Sequence, residues 1–136
     1  MQKMSYFLAK TEPREYSIDD LERLGTDKWN GVSNPVAVKN LRSMKLGDKV
    51  FIYHSGKNPS IVGLAEVVKE AVPDPNNPRS WVPEVKFEKK FTNIVSLEEI
   101  KTSHLFDDWA LVRQGRLSVM AVPEKFLSWF GQKNNP

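Results

Sequence analysis

The amino-acid sequence predicts an α+β fold: a curved mixed sheet flanked by short helices. Two observations lead there. The β-rich apolar runs Lys49 to Ser55 and Ile61 to Val68 are separated by Gly56-Lys57-Asn58-Pro59, the pattern of adjacent antiparallel strands joined by a loop. Short helix signals are mixed with such hairpin-like pairs, which argues against a doubly wound sheet, and the dinucleotide fingerprint is absent.

The elements follow in order. Tyr6 to Ala9 is a first apolar strand, ending in Lys10-Thr11-Glu12. Ser17 caps a helix with Asp19 and Asp20 in its first turn and Gly25 as its stop, placing Ile18, Leu21 and Leu24 on one face. Asn34-Pro35, cap then first-turn proline, opens a second helix from Val36 to Met44, with Ala37, Leu41 and Met44 at core spacing. Gly63 interrupts the strand from Ile61 and predicts a bulge or a close backbone approach. Val72 to Arg79 carries three prolines and two asparagines and reads as a loop. Trp81 to Phe91 alternates, with Trp81, Val85, Phe87 and Phe91 on one side, as a half-exposed strand does. Ser96-Leu97-Glu98-Glu99 is a capping box, Leu105 to Val112 forms a further turn or two, and Leu117 to Val122 is a last strand. Pro123 starts a terminal helix that packs Phe126, Leu127 and Phe130 on the sheet, and Gln132 to Pro136 is expected to fray.

A chain of 136 residues is expected to form a single domain spanning 1–136, with its core at about 5–131. With no cysteine there is no thiol for a disulfide or metal, which fits a reducing cytoplasm or nucleoid, and a cytoplasmic setting is expected. The short patch after Lys3 lacks the length and cleavage site of a signal peptide, and no membrane partner is expected. The net charge of +3, from 20 basic and 17 acidic residues, is mildly permissive of a polyanionic partner.

Catalytic chemistry finds little support. His54 and His104 are far apart and no cysteine accompanies them, so no metal and no cofactor is expected. Ser55-Gly56-Lys57 lacks the upstream glycine and following hydroxyl of a phosphate loop. His54 and Ser55 are neighbours on a strand and point to opposite faces, so one cannot activate the other directly.

Polar groups recur instead at the ends of apolar strands: Lys10-Thr11-Glu12, Tyr53-His54-Ser55, and Arg116 and Ser118 around Leu117. Strand ends gathered at one edge of a sheet can line a pocket. Trp29-Asn30-Gly31-Val32, between the two early helices, adds a flat ring and a glycine that lets backbone come close. Taken singly, Trp29 reads as a lid on the core and Tyr53 as a core aromatic with a bonded hydroxyl; the recurrence of polar strand ends shifts both toward a pocket. Together these groups suit a planar heterocycle.

Seven segments then occur in the order found in the EVE domain, which the chain resembles from about Tyr6 to Phe130. They are Phe7 to Pro13, Trp29 to Val32, Leu41-Arg42-Ser43-Met44, Gly47-Asp48, Tyr53-His54-Ser55, Ile61-Val62-Gly63 and Arg116 to Val119. The resemblance implies a PUA-like mixed β pseudobarrel of five or six strands flanked by short helices, related to the YTH readers of methylated adenine in RNA. It further implies a non-catalytic pocket for a modified base, such as a methylated or hydroxymethylated cytosine or a methylated adenine, in DNA or RNA, in a protein expected to act as a monomer. Carried onto this sequence, the pocket comprises Lys10, Thr11 and Glu12; Trp29, Gly31, Val32 and Asn34; Tyr53, His54 and Ser55; and Arg116, Leu117 and Ser118. Trp29 would stack on the base, with Thr11 and Ser55 at its edge and His54 reading the base or bracing its neighbours. Lys39, Arg42, Lys57, Arg79 and Arg113 are candidate phosphate contacts.

The sequence departs from many EVE members at Asn30 and where Ser33 and Val38 stand in place of two arginines, an Asn-Pro form read as that of a bacterial branch. Two cations are thereby lost from the pocket mouth. The alternatives are a general PUA-like RNA-binding protein indifferent to modification, a small-molecule-binding protein, or a hydrolytic enzyme using His54 and Ser55.

Overall fold

The computed structural model describes residues 4–134. Its elements are β1 (Tyr6–Thr11), α1 (Ile18–Leu24), β2 (Thr26–Lys28), α2 (Pro35–Ser43), β3 (Lys49–His54), β4 (Ser60–Asp74), β5 (Asn77–Ser96), α3 (Leu97–Ser103), α4 (Ala110–Arg113), β6 (Val119–Ala121) and α5 (Glu124–Gly131). The strands form one mixed sheet in the order β2-β5-β4-β3-β1-β6, not closed into a barrel. The α+β class and the five- or six-strand expectation hold. β1 runs parallel to β3, and the other pairings are antiparallel.

Local signals explain most of the boundaries. The Ser17 hydroxyl accepts from Asp20 N–H while the Asp20 carboxylate accepts from Ser17 N–H, a complete capping box. Asn34 Oδ1 accepts from the N–H groups of Val36 and Ala37 at the start of α2. At α3 the Ser96 hydroxyl accepts from Glu99 N–H, and the Glu99 carboxylate pairs with Lys133 Nζ at 2.5 Å.

Several expectations are corrected. β2 is not among the strands the sequence predicts: at three residues it is too short to show a periodicity, and it exists by pairing with β5. The segment 72–79 is not a loop but the end of a long hairpin, in which Val72 faces Val82 and Pro73 faces Trp81, turning at Pro75-Asn76. Val72 and Pro73 are both exposed there, so no apolar alternation marks the strand. Leu24 is 52% exposed and leaves the core face of α1 to Ile18 and Leu21. The last strand is shorter than Leu117 to Val122. Lys133 and Asn134, expected to fray, are bonded to Glu99 and to the Asn93 carbonyl; residues 135 and 136 lie outside the described residues.

β3 is central and buried from Val50 to Tyr53. Around Phe51 an aromatic cluster of Phe91, Phe106, Trp109, Phe126 and Phe130 anchors α5 and the α4 region, with Phe51 and Phe130 centroids 5.0 Å apart. α2 packs on both β5 and β6, and Asn40 Nδ2 donates to the Val119 carbonyl at 2.7 Å. That helix therefore bridges strands from opposite halves of the open sheet.

Candidate functional site

Because β1 and β3 are parallel and Thr11 lies opposite His54, their polar ends emerge at the same edge. The Lys10 N–H donates to the Ser118 carbonyl at 2.8 Å, extending the β1–β6 pairing, and the Ser55 N–H donates to the Thr11 carbonyl at 2.9 Å. All three polar groups meet at one end of the sheet. From the far side, the chain leaving β2 supplies residues 29–32, held by the Trp29 N–H donating to the Pro83 carbonyl.

Between these two sides is a hollow of about 410 Å³, within the usual range for small-molecule sites of about 300–1,000 Å³. Lys10, Thr11, Glu12, Trp29, Gly31, Val32 and Ser118 line it, joined by Glu15, Tyr16, Asp27, Lys28 and Asn30. The other sequence candidates lie elsewhere. His54, Ser55 and Lys57 line a neighbouring groove with Glu12, Arg14 and Ile94. Asn34, Arg116 and Leu117 border a third hollow beside Val36 and Gln114. Tyr53 is 2% exposed, and its burial pushes the phenol up to about 12.

Trp29 is only 8% exposed and joins the core. Tyr16 packs edge-on against it, centroids 6.1 Å apart, and the Tyr16 hydroxyl donates to Asp27 Oδ2 at 2.8 Å. Burial and the Asp27 carboxylate hold the Tyr16 phenol well above its ordinary value. Trp29, Tyr16 and Asp27 form one braced wall.

The polar groups retain specific bonding capacity. Lys10 Nζ donates to the Gly115 carbonyl at 3.0 Å and sits 5.5 Å from the Tyr53 ring centroid; burial lowers its pKa. The Thr11 hydroxyl donates to the Tyr16 carbonyl, so its oxygen is left as an acceptor. Glu12 Oε1 accepts from Arg14 N–H at 3.3 Å. No hydrogen bond among the described residues occupies the N–H groups of Asn30, Gly31 or Val32, and Gly31 adopts a φ of 82° that favours glycine. The hollow thus offers main-chain donors, the ammonium groups of Lys10 and Lys28, the carboxylates of Glu12, Glu15 and Asp27, and an apolar wall.

His54 has a structural partner. Its Nε2 accepts from the Ile18 N–H at 3.0 Å, at the start of α1, which requires the ring to be neutral there. Ser55 Oγ donates to the Thr11 carbonyl at 3.3 Å, and no hydrogen bond joins it to His54. Burial lowers the His54 pKa, opposed by Asp19 and Glu12. A folded value below the unfolded one makes the unfolded chain bind more protons, so this contribution to stability is full above about pH 6.5 and is lost as pH falls. The expected slope is at most about 1.4 kcal/mol per pH unit, and less because the ring is part-exposed. Urea unfolding from about pH 7.5 to 5.5 checks this: His54→Gln flattens the dependence, and parallel curves would refute the assignment.

Of the candidate phosphate contacts, the Arg42 guanidinium stacks over Trp81 at 4.2 Å, Arg113 pairs with Asp108 at 3.6 Å, and Lys39 and Arg79 are exposed away from the hollow's lining. Glu15, Tyr16, Asp27 and Lys28 are not among the residues the sequence predicts for the site, and Asn30 enters there only within the segment Trp29 to Val32. Their signal was weak, because β2 and its flanks present no recognisable pattern.

Over residues 5–130 the sequence matches the EVE domain. Thymocyte nuclear protein 1 of Rattus norvegicus is 37% identical, with 74% of this chain and 57% of that protein covered. Its Homo sapiens counterpart is 34% identical with the same coverage. The chain therefore spans a little over half the length of these curated relatives. Among solved structures, a protein from Agrobacterium tumefaciens has a TM-score of 0.90 at 31% identity, covering 97% of this chain and 96% of its own. Human THYN1 in complex with 5-methylcytosine containing DNA has a TM-score of 0.86 at 28% identity, covering 97% and 98%. Matched in sequence over nearly its whole length and in fold by these structures, the chain belongs to the EVE domain family.

Proposed function

We propose that this protein is a non-catalytic nucleic-acid binding module that holds one extruded base, bearing a small modification such as the methyl of 5-methylcytosine, in the hollow between β1 and residues 29–32. The observation that carries the reading is the solved complex of human THYN1, similar over 97% of this chain, with 5-methylcytosine containing DNA. The local chemistry supports it. A cytosine edge presents an amino donor beside two acceptors. Glu12 and the Thr11 oxygen suit the amino group, while Lys10 and the N–H groups of Gly31 and Val32 suit the acceptors. Trp29 and Val32 give the apolar surface for a methyl. Binding without reaction is supported by His54 and Ser55, whose hydrogen bonds hold α1 and β1 and form no nucleophile–base pair.

Burying one methyl contributes about 0.8 kcal/mol, roughly a fourfold preference. Unstacking a base from a duplex costs a few kcal/mol, so single-stranded DNA should bind more tightly than duplex. The test is fluorescence anisotropy on single-stranded oligonucleotides carrying one 5-methylcytosine, cytosine or thymine. The methylated strand should bind best, and Glu12→Gln should weaken it by about tenfold, within the 1–3 kcal/mol of one base contact. Equal affinity for all three strands, or tighter binding of unmodified RNA, would overturn the reading in favour of general RNA binding.

A further inference from the structure

A second hollow, of about 200 Å³, opens beside the first between β2 and the long β4–β5 hairpin, and Lys28 and Asn30 line both. It carries two features of its own. Across the sheet, Glu84 is in register with both Lys28 on β2 and Lys69 on β4, and all three line the hollow. Two lysines and the Glu84 carboxylate thus share this part of the lining. At the hairpin end, Val72 is 45% exposed beside the exposed Pro73, over the buried Val82. The remaining carboxylate of the lining, Asp74, accepts from Asn76 N–H in the turn. The hairpin is tied to the loop of the first hollow, since Asn77 Nδ2 donates to Ser33 Oγ at 3.0 Å.

We propose that this second hollow seats the nucleotide next to the extruded base in single-stranded DNA. Its base lies against Val72 and Pro73, and the linking phosphate lies on Lys28 and Lys69. The assignment rests on the base-binding reading of the first hollow. Continuity favours this occupant: Lys28 and Asn30 form a rim common to both hollows, so a strand whose base enters the first can continue into the second. The chemistry fits a nucleotide rather than a peptide, because apolar contact suits the face of any base while paired lysines suit a phosphate.

The experiment compares two probes by calorimetry: the nucleoside 5-methyl-2′-deoxycytidine, and a trinucleotide with 5-methylcytosine at its centre. Wild-type protein should bind the trinucleotide at least tenfold more tightly. Val72→Glu and Lys69→Ala, both at exposed positions, should reduce trinucleotide affinity by about tenfold and leave the nucleoside unchanged. Lys69→Ala should also lower the slope of log K against log salt by about 0.7, the contribution of one contact on a single strand. Unchanged trinucleotide binding in both variants, or an equal loss for both probes, would overturn the second site while sparing the first. Failure of the wild type to bind either probe would instead bring down the reading on which it rests.

Discussion

Trp29→Ala is expected to destabilise the protein by about 3–5 kcal/mol, the range for truncating a buried large aromatic. The resemblance to the EVE domain assigns this ring to stacking on a base, from a loop between the two early helices. The structure gives a different expectation, because the ring is 8% exposed, lies in the core and receives the edge of Tyr16. Its loss would leave a cavity beside Val32 and release Tyr16, whose hydroxyl is held by Asp27. Since domains are stable by only about 5–15 kcal/mol, a large share of the variant is expected to be unfolded at 37 °C. Urea unfolding of Trp29→Ala and Trp29→Phe provides the check. Phenylalanine should recover much of the midpoint by filling most of the volume. A midpoint for the alanine variant within about 0.5 kcal/mol of wild type would return Trp29 to the status of an exposed platform. Oligonucleotide affinity should therefore be compared using Trp29→Phe, in which loss of binding is not confused with loss of fold.

The residues that the sequence made legible are those whose role is local. Ser17, Asn34-Pro35 and Gly25 announce their helices because a cap acts on amides two or three residues away. The polar ends of β1, β3 and β6 were legible as a group because each follows an apolar run, and the parallel β1–β3 pairing carries two of those ends to one edge. What could not be read was how a group divides once side-chain direction is set. Tyr53 and His54 are consecutive, so one turns into the core and the other toward α1, and neither joins the hollow at Trp29. Tyr16, Asp27 and Lys28 were hidden for another reason. Their grouping depends on β2 pairing with β5, a contact between distant segments that leaves no periodic trace in three residues.

Gly63→Ala sets two opposed effects against each other. Alanine in place of glycine ordinarily stabilises by about 0.4–1 kcal/mol when the backbone permits it, through the unfolded chain. Gly63 is not among the residues with positive φ, so the backbone does permit it. Space does not: an added Cβ would stand 2.5 Å from Ile18 Cδ1, 2.7 Å from Ile18 Cγ1 and 2.9 Å from the Lys89 carbonyl oxygen. The Ile18 side chain is 4% exposed and has little room to retreat, and the carbonyl belongs to the neighbouring strand. Overpacking of this kind costs about 1–3 kcal/mol, so a net loss is expected. The site lies where the β3–β4 register shifts past Val62, which makes the strand's bend depend on the missing side chain. Ile18 is also the residue whose N–H is held by His54, so displacing it strains the start of α1. A double-mutant cycle with Ile18→Ala separates the causes. The double variant should be less destabilised than the sum of the singles, because removing Cγ1 and Cδ1 relieves the side-chain clash, while the Lys89 carbonyl keeps a residual cost. Strict additivity in urea unfolding would show that Gly63 is required for some reason other than the approach of Ile18.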